Sequence, residues 1–202
     1  MALEVTLSPA DRALLSVHEH GTLYDATRNN RMYVAASATA GIALIVPATT
    51  GNHPTLWNPI GSGRVLSIRK LRLAYVSGNN APTSLAWSIT TDTGADIGPT
   101  GAAILTFTKV AVRNAYAGAG VDSKALWAPA TNTYTAAPVY HRPIGLSLFT
   151  GVAATAVAPF RLEEKYDGDN LIMPGTALSL VTSQATTTAL FRVTILFEEV
   201  PE

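Results

Sequence analysis

Between Ala189 and Phe197 the chain reads Ala-Leu-Phe-Arg-Val-Thr-Ile-Leu-Phe, with Ala, Phe, Val, Ile and Phe at the odd positions and Arg192 and Thr194 between them. A period of two puts every odd side chain on one side of an extended backbone, so this segment is a strand with one face in a core. The same alternation recurs in Leu85, Trp87 and Ile89, in Leu105 and Phe107, in Ile144, Leu146 and Leu148, and in Leu178 and Leu180. Further strands are expected at Met32–Ala35, Ile42–Val46, Thr55–Asn58, Val139–His141 and Pro159–Leu162, which makes about nine to eleven in all. Turn formers punctuate them: Pro47, Gly51-Asn52, Asn58-Pro59-Ile60-Gly61-Ser62-Gly63, Ser77-Gly78-Asn79-Asn80, Asp167-Gly168-Asp169-Asn170 and Pro174-Gly175. Many short strands separated by such residues, with no internal repeat, predict an all-β sandwich or barrel.

One long run changes phase. In Arg64–Val76, Leu66 and Ile68 fall on one face and Leu71, Leu73 and Tyr75 on the other, with Arg69-Lys70 at the switch. Two charges where the alternation flips predict a β-bulge, a device that lets a strand serve two environments or turn a corner. Two longer loops are expected, Asp92–Gly101 and Arg113–Pro138, the second carrying Ala117-Gly118-Ala119-Gly120.

Residues 1–31 read as an N-terminal arm and 32–202 as the β domain. Ser8-Pro9-Ala10-Asp11 sets a capping hydroxyl before Pro at a first helical position, which predicts a short helix over Pro9–Val17. The polar segment that follows, through Asp25-Ala26-Thr27-Arg28-Asn29-Asn30-Arg31, reads as turn-rich. Two roles stay open for it, a loose tail and an arm that orders against a neighbouring subunit. The first residues show no basic segment leading into an apolar one, so no secretory signal is expected. Met32–Gly63 contains no Asp, Glu, Lys or Arg, but its prolines and glycines break any run long enough to span a membrane, and none is expected to.

Fourteen basic residues balance fourteen acidic ones, and only 14% of the chain is charged. A nucleic-acid binder is expected to show a basic excess, since phosphate contacts supply most of its affinity, and no nucleic-acid partner is expected. Low net charge favours association with other subunits. Without cysteine there is no disulfide, thiolate metal site or thiol nucleophile, and either redox compartment suits the chain.

The polar motifs read mainly as structure. Gly61-Ser62-Gly63 has neither the nucleophile-elbow nor the phosphate-loop pattern and reads as a turn. His18 and His20 have the spacing of two ligands on a strand, with Glu19 between, but His53 and His141 are isolated in sequence, and no metal or cofactor is expected. Asp167-Gly168-Asp169-Asn170 lacks the length and final Glu of a calcium loop. Glu163-Glu164 and Glu198-Glu199 point to opposite faces of their strands, so neither pair meets one substrate. A glycosidase pair assembled from distant acids is the enzymatic alternative, and no catalytic residue is expected. Trp87 sits on an apolar face and is expected in the core. Trp57 and Trp127 are candidates for stacking on sugar rings.

Leu56-Trp57-Asn58-Pro59-Ile60-Gly61-Ser62-Gly63-Arg64-Val65-Leu66-Ser67-Ile68, with Leu73-Ala74-Tyr75-Val76-Ser77-Gly78, resembles a segment of small virion structural proteins of tailed bacteriophages. Leu171-Ile172-Met173-Pro174-Gly175-Thr176-Ala177-Leu178-Ser179-Leu180 and Phe197-Glu198-Glu199-Val200-Pro201 resemble the way such chains close. The resemblance implies a jelly-roll-like antiparallel β-sandwich and a non-enzymatic head decoration or cement subunit. Its implied partner is the major capsid protein, its state a homo-oligomer with a trimer favoured, and its place the capsid surface of the virion after synthesis in the host cytoplasm. Asn58, Pro59, Gly61 and Gly63 would form the turn into the long strand, and Pro174 and Gly175 the turn into the penultimate one. The alternative is a receptor- or carbohydrate-binding module of a tail or head fibre, resting on Trp57 and Trp127.

Overall fold

The computed structural model describes residues 21–78, 83–91, 104–106, 112–118, 122–134, 136–147, 161–185 and 188–202. In chain order the elements are helix α1 (Thr22–Arg28) and strands β1 (Met32–Ala36), β2 (Thr50–Asn52), β3 (Thr55–Asn58), β4 (Arg64–Ser77), β5 (Thr83–Thr91), β6 (Ile104–Thr106) and β7 (Arg113–Asn114). They continue with β8 (Leu126–Ala128), β9 (Thr131–Tyr134), β10 (Val139–Ser147), β11 (Arg161–Lys165), β12 (Leu171–Ile172), β13 (Thr176–Thr182) and β14 (Leu190–Pro201).

The first sheet has the order β11-β4-β14-β1-β7, with β12 also on β4; the second has the order β10-β5-β13-β3-β8. Taking the principal strands as β1, β3, β4, β5, β10, β11, β13 and β14, the chain crosses between the sheets at every step except β5 to β10, which pair within the second, so that late strands insert between early ones: β14 lies between β4 and β1, and β13 between β5 and β3. All pairings are antiparallel. This wrapped order is a jelly roll. The fold is therefore an all-β, jelly-roll-like antiparallel sandwich.

Its core lies between the sheets. Ala189, Phe191, Val193, Ile195 and Phe197 are all buried there, as their alternation predicts, with Tyr33 stacked on Phe197 at 5.9 Å between ring centroids. The bulge forms where the phase changes. Leu196 pairs with Lys70 but Phe197 pairs with Ile68, so Arg69 is the extra residue on β4. Its effect is to cancel the flip: Leu66, Ile68, Leu71 and Leu73 all enter one core, so the strand serves a single environment.

A third sheet, β2-β9-β6, accounts for several departures from simple alternation. The buried cluster of Trp57, Tyr134 and Ala177 joins β3 and β13 to β9, so β3 and most of β13 are buried on both faces. More strands form than periodicity predicts because β2, β7, β8, β9 and β12 are too short to show a period, and three of these, β7, β8 and β9, lie in the segment expected to be the Arg113–Pro138 loop. Ile42–Val46, expected as a strand, makes only an isolated bridge from Ile42 to Phe191. The expected strands at Val139–His141 and Ile144–Leu148 are one strand through Ser147. β10 is an edge strand, where Pro143 needs no outward N–H partner, and register shifts flank the proline.

The segment Asp25–Arg31, expected as turns, contains most of α1. Thr27 Oγ1 donates to Leu23 O at 2.7 Å, Asn29 Nδ2 donates to Asp25 at 2.9 Å, and Arg31 pairs with Asp25 at 3.0 Å. So short a helix needs packing to persist, and Ala26 is buried where α1 meets β1. The helix expected over Pro9–Val17 and the loop Asp92–Gly101 lie outside the described residues, as does Phe107. Among the described residues no helix is long and apolar enough to cross a membrane.

Candidate functional site

The two turn motifs singled out in sequence meet in space. Asn58, at the end of β3, is fully buried, and its Nδ2 donates to Arg64 O at 2.7 Å and to Ile172 O at 2.9 Å. Gly175 N donates to Asn58 O at 2.7 Å. Pro59 O accepts from Ser62 N, and Gly61 and Gly63 hold φ of 76° and 62°, the left-handed region that closes the turn into β4. Gly175 also has positive φ, and a Cβ there would stand 3.0 Å from Ile60. One amide thus ties together the entries to β4 and β13. Asn58→Ala removes two hydrogen bonds, leaving Ile172 O without this amide and Arg64 O with the longer 3.3 Å bond from Ser62 Oγ, and is expected to cost about 2–3 kcal/mol, read as a lowered urea midpoint at unchanged slope.

The same corner carries exposed apolar side chains: Ile60 is 51%, Leu171 53% and Met173 49% exposed. In sequence only the turn formers around them, Asn58, Pro59, Gly61, Gly63, Pro174 and Gly175, carried a role, and these three had none. The alternation of exposed Leu171, buried Ile172 and exposed Met173 is the signal that marks them.

The tryptophans correct the sugar-stacking expectation. Trp57 is 3% and Trp127 0% exposed, so neither presents a ring face to a ligand. Trp57 is held between the second and third sheets. Trp127 belongs to the main core and donates Nε1–H to Ala36 O at 3.0 Å. Trp87 is buried as expected and donates to the Tyr166 hydroxyl at 2.8 Å.

Beneath the third sheet lies a polar network that the sequence reading did not assemble. Thr55 Oγ1 lies 2.6 Å from Tyr134 Oη and 2.8 Å from Ser179 Oγ, and donates to His53 O at 2.7 Å; Asn132 Nδ2 donates to His53 O at the same distance. Burial pushes the Tyr134 hydroxyl pKa up. His53 is fully buried, its ring edge-on to Tyr134 and its Nε2 3.1 Å from Val46 O. Burial holds its pKa below the usual histidine value, against backbone carbonyls that favour the charged ring. The unfolded chain therefore binds more protons than the folded one below the ordinary histidine pKa of about 6.5. Stability from this ring is full above that pH and falls as pH drops toward the folded-state value. A urea midpoint lower at pH 5.5 than at pH 7.5, by a margin that shrinks in His53→Gln, is the expected result. Glu164, which burial shifts upward, acts in the opposite sense, so the difference between the two proteins isolates His53.

The acid pairs split across their strands, as period two requires. Glu163 pairs outward with Lys70 at 3.1 Å and Arg72 at 2.9 Å. Glu164 is half-buried beside Tyr166, whose ring lies under Arg142 at 5.6 Å. Glu198 is buried between Arg69 at 2.5 Å and Arg31 at 3.5 Å, which through Asp25 links α1 to the first sheet. Glu199 accepts from Ser123 Oγ at 2.5 Å and Lys124 N at 2.7 Å. In the Asp167–Asn170 turn, Asp169 pairs with Arg142 at 3.0 Å, and the backbone carbonyl of buried Asn170 accepts from Ile68 N at 3.0 Å. His141 is exposed on β10, and His18, Glu19 and His20 lie outside the described residues. Among the described residues no three His, Asp or Glu side chains stand close enough to hold a metal.

No protein-family profile, curated protein or solved structure matches the chain. The arrangement of side chains is the ground for a functional reading. Glu163, Glu198 and Asp169 serve ion pairs and Glu199 accepts from Ser123 and backbone N–H groups, whereas Glu164 keeps one buried carboxylate oxygen without a hydrogen-bond partner among the described residues. Ile60, Leu171 and Met173 leave apolar surface exposed at the corner of the two turns.

Proposed function

We propose that the chain is a non-enzymatic structural subunit of a virus particle, a decoration or cement protein that seats on the major capsid protein and works as a homo-oligomer, with a trimer favoured. The observation that carries this reading is the apolar corner of Ile60, Leu171 and Met173, exposed on a jelly roll whose turns there are locked by Asn58. Jelly rolls serve as capsid domains and as lectins. Burial of Trp57 and Trp127 takes from the carbohydrate-binding alternative the residues it rested on, and so favours the first use. Balanced charge suits a subunit that spends its life against others.

Light scattering of the purified protein, with sedimentation of phage shells stripped of their decoration, tests the reading. An oligomer that co-sediments with shells is expected. A strict monomer with no affinity for shells overturns it.

A further inference from the structure

Strand register places a cationic face on the outside of the first sheet. Residues paired across an antiparallel ladder share a face. Lys165 pairs with Lys70, Lys70 with Leu196, Leu196 with Val34 and Val34 with Arg113, so these five side chains form one row across β11, β4, β14, β1 and β7. The neighbouring row is Glu163, Arg72, Thr194 and Ala36, and Arg192 stands beyond it opposite Ala74. Inward neighbours such as Leu71, Leu73, Ile195 and Val193 are buried in the core, which fixes these rows as outward.

The face is unlike the chain as a whole. Lys70, Arg72, Arg113, Lys165 and Arg192 gather on it against two acids, Glu163 and, in the row next to Leu196, the buried Glu198 that Arg69 and Arg31 neutralise, although the chain's charges balance. Arg72, Arg113, Lys165 and Arg192 are exposed. At the centre, half-buried Val34 and Leu196 with Thr194, Lys70 and Arg72 line a depression of about 140 Å³. A cavity of about 150 Å³ takes one benzene-sized group, so this one suits a single side chain. At about 4.8 Å per strand the row from Lys165 to Arg113 spans roughly 19 Å, with the apolar pair between the cations.

We propose that this face docks an acidic protein surface, one that sets an apolar side chain in the depression and carboxylates against the flanking cations. The proposal rests on the reading of the chain as a docking subunit. An apolar centre within a charged rim is the anatomy of a protein interface. A polyphosphate has no use for Val34 and Leu196, and Glu163 between Lys70 and Arg72 repels it. Complementary charge of this kind speeds encounter and excludes wrong partners more than it adds affinity.

The test compares full-length wild type with Arg113→Glu/Lys165→Glu, whose replaced side chains make no ion pair among the described residues, and with Arg72→Gln/Arg192→Gln, which removes charge without reversing it. Arg28→Glu/Lys124→Glu, on exposed positions elsewhere, is the control. The probes are a glutamate–tyrosine copolymer, polyglutamate and duplex DNA, at roughly 50 mM salt, where surface charges are weakly screened. The expected result is that wild type and control bind the copolymer best, and that both face variants lose roughly tenfold or more in affinity at unchanged melting temperature. Equal binding by all four proteins, or tighter binding of DNA than of copolymer, overturns the proposal. Shell sedimentation separates it from the parent reading. Wild type that misses shells but holds the copolymer through this face supports the face and sinks the capsid role; face variants that still coat shells fully sink the face and leave that role standing.

Discussion

Trp127→Ala is expected to lower the melting temperature by roughly 6–20 °C, from a loss of about 3–5 kcal/mol at about 2–4 °C per kcal/mol for a chain of this size. The indole is fully buried in the main core, and its N–H holds Ala36 O at the end of β1. Truncation therefore removes apolar contact, leaves a cavity and takes from the Ala36 carbonyl the indole donor, and these costs act together. Trp57→Ala is expected to cost less, because its cluster under the third sheet is smaller than the main core. A denaturant titration of both variants checks this. Unchanged stability in Trp127→Ala would mean that the indole is not the core element described. The outcome also governs how glycan data are read: loss of sugar binding on Trp127→Ala with a collapsed melting curve reports unfolding, whereas loss at full stability would restore the carbohydrate alternative.

The same residue shows where the sequence was legible and where it was not. Alternation in Ala189–Phe197 and the bulge at Arg69-Lys70 were readable because a strand's side-chain direction is a local property; the structure puts residues 189–197 where the period places them, while the bulge brings Leu66 and Ile68 onto the same face as Leu71 and Leu73. Trp57 and Trp127 were not readable, because their burial depends on layers contributed by β9 and β8, strands too short to carry a period. Asn58 was legible as a turn residue but not as the amide that joins two turns more than a hundred residues apart. The cationic face was hidden for a related reason. Lys70, Arg113, Lys165 and Arg192 are scattered along the chain and show no basic stripe; only the ladder register gathers them. The apolar corner of Ile60, Leu171 and Met173 likewise needed the two turns brought together before it could be seen as a surface.

Gly78→Ala separates two physical causes in one substitution and is expected to cost about 4 kcal/mol. Gly78 follows β4 with φ of 94°, and a Cβ there would fall 1.9 Å from Thr188 O and 2.4 Å from Thr188 C. Backbone strain at positive φ costs on the order of 1–3 kcal/mol, and overpacking costs a similar amount again. The obstacle is backbone, so no rotamer change relieves it. The chain must shift Thr188 and Ala189, and with them the start of β14, where Leu190 pairs with Ser77. Gly118→Ala supplies the comparison: its φ is 91°, almost the same, but among the described residues nothing stands within 4 Å of the added Cβ. It is expected to cost about 1 kcal/mol, strain without collision. Urea midpoints of the two variants give the contribution of the close approach as their difference. Equal losses would mean that the 188–189 segment yields freely, and then the contact between the end of β4 and the entry to β14 does not set the register of the first sheet's central pair.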